Sequence, residues 1–316
     1  MSPSASTPSS VEAGEIRAGL IAALFCYGVW GVFPLLFKLV DHVDSLTIVA
    51  HRVVWALISV ALFLAIRNRL GEVRAVFINR RVLFALMASA LFLAINWLAF
   101  IWAVTSGNVL ESSFGYFISP LVNVAMGTVL LKEKQNRVQT IAIAIAVFAV
   151  LIQGFGLGSM PWAALAMAFA FGFYGYFRKT VVVGAAPGLM VETMIMLPVA
   201  AAFIGFVLAT EGPGPIGDPL TYFYIIMAGT VTSGVLVLFA FAARRLRLST
   251  IGMFQYIPPS LQFIMAVWLF GEPLGIYKLV SFALIWLSLS IFTWDSWRRQ
   301  RAVPPVETPP IPRKPA

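Results

Sequence analysis

Charge, cysteine and histidine are all scarce in this chain. Its 316 residues include 22 basic and 13 acidic side chains, whereas a soluble chain of the same length carries roughly 80 charges. An ordinary water-soluble enzyme is therefore excluded. The single cysteine, Cys26, has no partner within the chain for a disulfide. With two histidines and no C-x-x-C pair, no metal-ligand pattern exists, and neither a metal nor a cofactor is expected. The net charge of +9 is not the mark of a nucleic-acid binder, because the positive residues sit in short clusters between apolar runs.

Apolar side chains dominate instead, at 60% of the sequence. A membrane-spanning helix needs about 20 apolar residues, so this content fills eight to ten of them. Each run is about twice the length of a barrel strand and lacks strict alternation, which predicts helices. Ten spans can be placed: 18–39, 45–66, 82–105, 112–131, 138–157, 161–177, 188–209, 220–243, 249–270 and 274–295. The first is too long for a signal-peptide core and is read as a mature helix. Residues 1–17 and 296–316 read as disordered tails flanking the spans.

Orientation follows from alternate loops. One set, with the sequences flanking the first and last spans, holds 19 of the 22 basic residues, among them Arg67, Arg69, Arg74, Arg80, Arg81, Arg178 and Lys179. The other set, around residues 41–44, 106–111, 158–160, 210–219 and 271–273, holds no Lys or Arg but six acidic residues. The positive-inside rule then places both termini in the cytoplasm and requires an even number of spans.

An internal repeat divides the chain. Pro120 follows Phe114-Gly115-Tyr116-Phe117 and precedes Glu133 by thirteen residues; Pro259 follows Ile251-Gly252-Met253-Phe254 and precedes Glu272 by the same thirteen. The proline and glutamate pairs are offset by 139 residues, close to half of the span-bearing chain. Residues 18–157 and 161–295 then form two five-helix repeats. Five is odd, so the second copy lies inverted relative to the first. The expected fold class is an all-α membrane protein of ten transmembrane helices in two inverted repeats, an architecture that builds a substrate site near the bilayer midplane.

Ionisable groups inside spans are functional candidates because burying them in hydrocarbon costs several kcal/mol. Arg52 stands about seven residues, roughly 10 Å, inside the second span. Two readings are open for it: contact with an anionic group of a cargo, or a structural pairing with Glu111 or a carbonyl. His51 points about 100° away and is either a protonation site or a packing histidine. Glu192, about 6 Å inside the seventh span, maps onto Arg52 at an offset of 140. It is either a proton-carrying or inner-gate residue, or the partner of Arg178 or Lys179. Asn96, Asn123 and Gln255 are amides in span interiors, able to bond cargo or a neighbouring helix. Trp55, Trp97, Tyr116, Tyr174 and Tyr256 are candidates to wall a cavity. Gly115, Pro120, Gly252, Pro258 and Pro259 are candidate interruptions of the fourth and ninth helices.

The sequence resembles the EamA branch of the drug/metabolite transporter superfamily, and within it the RarD group. The resemblance rests on His51-Arg52-Val53-Val54-Trp55, Asn96-Trp97, the run from Leu110 to Asn123, Phe173-Tyr174-Gly175, Glu192-Thr193-Met194 and Phe254-Gln255-Tyr256-Ile257, and extends from about residue 18 to 295. One departure is Lys132-Glu133, where the family more often has Gly-Glu. The resemblance implies a ten-helix secondary transporter, or permease, of the bacterial inner membrane that moves a small organic solute or drug without ATP hydrolysis. Proton or ion coupling is compatible with it; cargo, direction and oligomeric state are not legible. Two other classes fit the sequence less well. A membrane-embedded enzyme lacks a Ser/His/Asp set or paired intramembrane acids, and a non-transporting sensor or scaffold has no attached signalling domain.

Overall fold

A computed structural model describes residues 10–131, 136–243, 245–246 and 254–302. Its helices are α1 (Ser10–Lys38), α2 (Ser45–Ile66), α3 (Leu70–Ile78), α4 (Arg80–Thr105), α5 (Val109–Leu131), α6 (Arg137–Leu157), α7 (Trp162–Thr180), α8 (Ala185–Thr210), α9 (Pro219–Ala243), α10 (Ile257–Ile264) and α11 (Ile276–Ala302). Among the described residues there is no strand. A backbone in hydrocarbon must satisfy its own polar groups, and a helix does so within one segment. Seven of these helices, α1, α2, α4, α6, α8, α9 and α11, contain stretches long and apolar enough to cross a membrane. The protein is an integral, multi-pass membrane protein.

Polar residues at the helix ends set the boundaries. The Asp44 carboxylate accepts from the backbone N–H of Leu46 (2.8 Å) and Thr47 (3.1 Å), capping α2. Asn79 does the same for α4. At α6, Asn136 and Gln139 form a reciprocal capping box, and Gly158 closes the far end in the left-handed region at φ 67°.

α5 is enclosed by α4, α6, α7, α10 and α11, so it carries Glu111, Ser112, Ser113 and Asn123 without presenting all of them to lipid. Side chains such as Phe84, Leu91, Phe155, Val199 and Trp268 point outward from the bundle instead.

The main helix contacts pair α4 with α7, α5 with α7, α1 with α9, α1 with α10, α2 with α8, α2 with α9, α4 with α8, α5 with α10 and α6 with α11. Small residues and hydroxyls make these approaches close. A Cβ on Gly115 would stand 2.8 Å from the Ala164 carbonyl oxygen and 2.9 Å from its Cα, so only glycine lets α5 lie this near α7. Between α6 and α11, Ser281 donates to the Ala149 carbonyl (2.9 Å) and Ser288 to that of Ala142 (2.6 Å).

Three local expectations change. Residues 10–17 and 296–302, read as parts of disordered tails, are helical as the ends of α1 and α11. The segment between Arg67 and Arg81, read as a loop, contains α3, whose Val73 and Val76 are buried while α3 packs on α4 and α8. The ninth span is not one regular helix: a turn at Gln255 and Tyr256 leads into α10, followed by a π-helical turn at Met265–Leu269. Pro258 and Pro259 occupy the first turn of α10, where a missing N–H leaves no helical bond unmade. α5 continues as a helix through Gly115 and Pro120. Gly252, Glu133, Lys132 and the outermost tail residues lie outside the described residues.

Candidate functional site

Among the described residues, the most deeply buried charged side chains are those of Arg52 and Glu192. Arg52, on α2, is 4% exposed, and Glu192, on α8, is 0% exposed. They form no ion pair with each other, and each reaches a different helix.

Arg52 Nε donates to Thr232 Oγ1 on α9 at 3.2 Å. That hydroxyl in turn donates to the Ala228 carbonyl at 2.7 Å, which fixes it as the acceptor for Arg52. The guanidinium lies 4.3 Å from the ring centre of Trp97, with Phe37 at 5.5 Å and Phe33 at 5.9 Å. These are cation–π distances. Tyr116 is within electrostatic reach. Nη1 is buried and has no hydrogen-bond partner. Glu111, one partner expected for Arg52, is committed elsewhere: its Oε1 accepts from Ala163 N (2.8 Å) and Ala164 N (3.3 Å) in the first turn of α7.

Glu192 Oε1 accepts from Ser89 Oγ on α4 at 2.6 Å and lies 3.8 Å from Arg178 Nη1. Arg178, near the end of α7, also donates from Nη2 to the Gly184 carbonyl at 3.1 Å. It lies directly over Gly188, where any Cβ would collide with the guanidinium. The pairing with Arg178 is the one present; the Lys179 side chain lies outside the described residues. Tyr174 borders this pair and is half-buried.

The remaining predicted residues fall into separate places. His51 meets Tyr222 edge-on at 5.6 Å, and Trp55 meets the same ring at 6.2 Å. His51 Nε2 and Trp55 Nε1 are buried without partners. Asn96 donates to the Met167 carbonyl on α7 at 3.1 Å, a bond between helices. Asn123 is exposed on α5, and its Oδ1 would be 3.4 Å from a Cβ on Gly172 of α7. Gln255 is exposed and Tyr256 half-buried at the entry to α10. The structure therefore brings Arg52, Trp97 and Tyr116 together and sets Glu192 with Tyr174, while His51 and Trp55 form a third group.

Sequence reasoning missed Ser89 and Thr232, the hydroxyls that hold the two charges. A hydroxyl in an apolar run is the available signal, but several such residues exist and nothing local says which one faces a charge. The partners of Glu272 were also missed. Glu272 accepts from Val109 N (2.5 Å) and Leu110 N (2.9 Å), completing the first turn of α5. Burial raises the Glu272 carboxyl above the usual range, opposed by those two N–H groups and by Lys278 and Lys38. Beside it a polar cavity of about 140 Å³ is lined by Asn108, Glu111, Gln153, Glu272 and Lys278 among others. No group of three or more His, Cys, Asp or Glu with metal-ligand geometry exists among the described residues.

Comparison with known proteins follows the same lines. The EamA-like transporter family matches residues 17–154. A protein named RarD from Escherichia coli K12 is 41% identical over 293 residues, covering 92% of this chain and 99% of that protein. An uncharacterized transporter of Pseudomonas aeruginosa is 40% identical over 295 residues, covering 92% and 98%. A chloramphenicol-sensitive protein RarD from the same organism is 30% identical over 287 residues, covering 90% and 96%. One solved crystal structure superposes with a TM-score of 0.57 at 16% identity, covering 91% of this chain and 99% of that one, a likeness of fold. The chain belongs to the RarD group of the EamA-like transporter family.

Proposed function

We propose that this protein is a secondary transporter that carries small organic solutes across the bacterial cytoplasmic membrane by alternating access of two inverted five-helix halves. The first half comprises α1, α2, α4, α5 and α6; the second comprises α7, α8, α9, α10 with its π-helical turn, and α11. Both termini are cytoplasmic in this reading, and the loops poor in Lys and Arg face outward.

The observation that carries the proposal is that the main helix contacts survive exchange of the halves. Swapping each helix for its counterpart turns α4–α7 into α1–α9, α5–α7 into α1–α10 and α2–α9 into α4–α8, and leaves α2–α8, α5–α10 and α6–α11 unchanged. The match extends to single bonds. Shifting by 139 residues, the offset between Pro120 and Pro259, carries the pair Ser281–Ala149 onto Ala142–Ser288. Arg52 and Glu192 fit the same scheme: each sits on the second helix of its half and bonds a hydroxyl on the third helix of the other half. Two copies related in this way have two arrangements of equal standing, one open to each side.

Within this frame Arg52, Trp97 and Tyr116 border the central substrate pathway. Glu192, tied to Arg178 and Tyr174 toward the cytoplasmic end, serves as an inner gate and proton carrier. The carboxylates of Glu111 and Glu272 each hold the start of a helix in the opposite half and close the outer end.

Solute counterflow in proteoliposomes tests the reading. Vesicles preloaded with a broad metabolite mixture should accumulate at least one labelled member of that mixture against its gradient. A folded protein that accumulates none would contradict transport. Uptake that keeps its dependence on the proton gradient in Glu192→Gln would remove the coupling role of Glu192 and leave the rest standing.

A further inference from the structure

The two central charges are not equally balanced. Glu192 has a cation of its own chain at 3.8 Å and a hydroxyl at 2.6 Å. Arg52 has no carboxylate of its own chain within ion-pair distance among the described residues. Its Nε bond ends on a neutral hydroxyl, its planar face is taken by Trp97, and Nη1 is left without an acceptor at 4% exposure of the residue. The acids that could neutralise it are engaged elsewhere: Glu111 with the first turn of α7, and Glu192 with Arg178. A buried, uncompensated cation is among the costliest features a membrane interior holds. A guanidinium keeps its proton in proteins, so the cost is not relieved by neutralisation.

We infer that the missing counter-charge arrives with the cargo: the protein carries organic monoanions, whose acidic group accepts from Nη1 of Arg52 and whose planar, apolar body lies among Phe33, Phe37, Trp97 and Tyr116. This assignment rests on the transport reading and narrows it to a substrate class. Arginine suits the task better than lysine, since its guanidinium presents a fixed fork of donors while its face stacks on an aromatic ring. The rings around it offer apolar, polarisable contact and no competing acceptor charge. Phe33, Phe37 and Trp97 come from α1 and α4, whereas Thr232, which orients the guanidinium, comes from the other half. Cargo binding therefore draws on both halves at once.

Thermal unfolding of the detergent-purified full chain with matched ligand pairs tests the assignment. Benzoate, phenylacetate and benzenesulfonate each differ from their neutral amides mainly in charge. The acids should raise Tm in a saturable way and the amides should not, because a ligand bound only to the native state stabilises it by mass action. Arg52→Gln should abolish the acid effect, and Arg52→Lys should raise the apparent Kd at least tenfold. Without ligand, Arg52→Gln should unfold at a temperature no lower than the wild type, since it removes an uncompensated charge; a merely structural arginine would give a lower Tm. Thr232→Val, which frees the guanidinium without removing it, should weaken acid binding and leave the preference for acid over amide intact. Amides that stabilise as well as acids would overturn the assignment, as would acid stabilisation that survives in Arg52→Gln. If neutral solutes exchange in counterflow while no acid stabilises the protein, transport stands and the anion assignment falls.

Discussion

Removing the cation from the Glu192 pair is predicted to cost more than removing the anion. Arg178→Gln leaves a fully buried carboxylate with one hydrogen bond, from Ser89, and with Oε2 unpartnered. Breaking a buried ion pair by deleting one partner costs about 3–5 kcal/mol. The 3.8 Å separation and the 15% exposure of the Arg178 side chain place this case near the lower end, at about 3 kcal/mol. Glu192→Gln instead keeps an acceptor for Ser89, and the freed Arg178 retains its bond to the Gly184 carbonyl and its access to water, so about 1 kcal/mol is lost. At about 2 °C per kcal/mol for a chain of this size, thermal unfolding in detergent should show losses of about 6 °C and 2 °C. The double substitution should resemble Glu192→Gln alone, giving a coupling energy of about 3 kcal/mol in the cycle. Equal losses for the two single variants, with simple additivity in the double, would refute the ion pair.

Three further outcomes follow from the packing. Ser281→Ala and Ser288→Ala, equivalent under exchange of the halves, should each cost about 1 kcal/mol in thermal unfolding and agree with one another; a clear inequality would weaken the symmetry argument. Gly115→Val should cost about 1–3 kcal/mol by forcing α5 off the Ala164 backbone, while Gly205→Ala, with nothing within 4 Å of its added methyl, should be neutral or stabilising. Asp218 caps α9, and the backbone N–H of Thr221 at 2.7 Å, aided by its hydroxyl, holds the Asp218 carboxyl below the usual aspartate range. Its folded pKa is depressed, so its stabilisation is present above the ordinary aspartate pKa and is lost as pH falls through the lowered value. Asp218→Ala should flatten the acid limb of the unfolding profile.

How much of this was legible in one sequence depends on the range of the interaction. The second span is read to the residue, 45–66, because Asp44 stands before it as a cap and Arg67 after it as a charge. α3 was not read, since five arginines between 67 and 81 look like a loop until Val73 and Val76 find α4 and α8 to cover them. The ninth span was drawn too smoothly: Pro258 and Pro259 begin a short helix there rather than bending a long one. At the site, Arg52 and Glu192 were visible because apolar runs make any charge conspicuous. Their partners were not equally visible. Arg178 lies fourteen residues from Glu192 and was among the alternatives, whereas Thr232 lies 180 residues from Arg52 and only packing brings them together. Glu111, the acid expected beside Arg52, was drawn off by the unpaired N–H groups at the start of α7, a demand that exists only once α7 is placed.

Locking the outer end tests the central claim, alternating access between two inverted halves, most directly. Asn108 and Glu272 line the same cavity from opposite halves, and the native Cys26 is buried. Asn108→Cys with Pro273→Cys, reconstituted and oxidised, joins the halves where Glu272 meets the start of α5. Counterflow of the exchanged solute should stop on oxidation and return on reduction. Undiminished exchange by fully cross-linked protein would contradict the account.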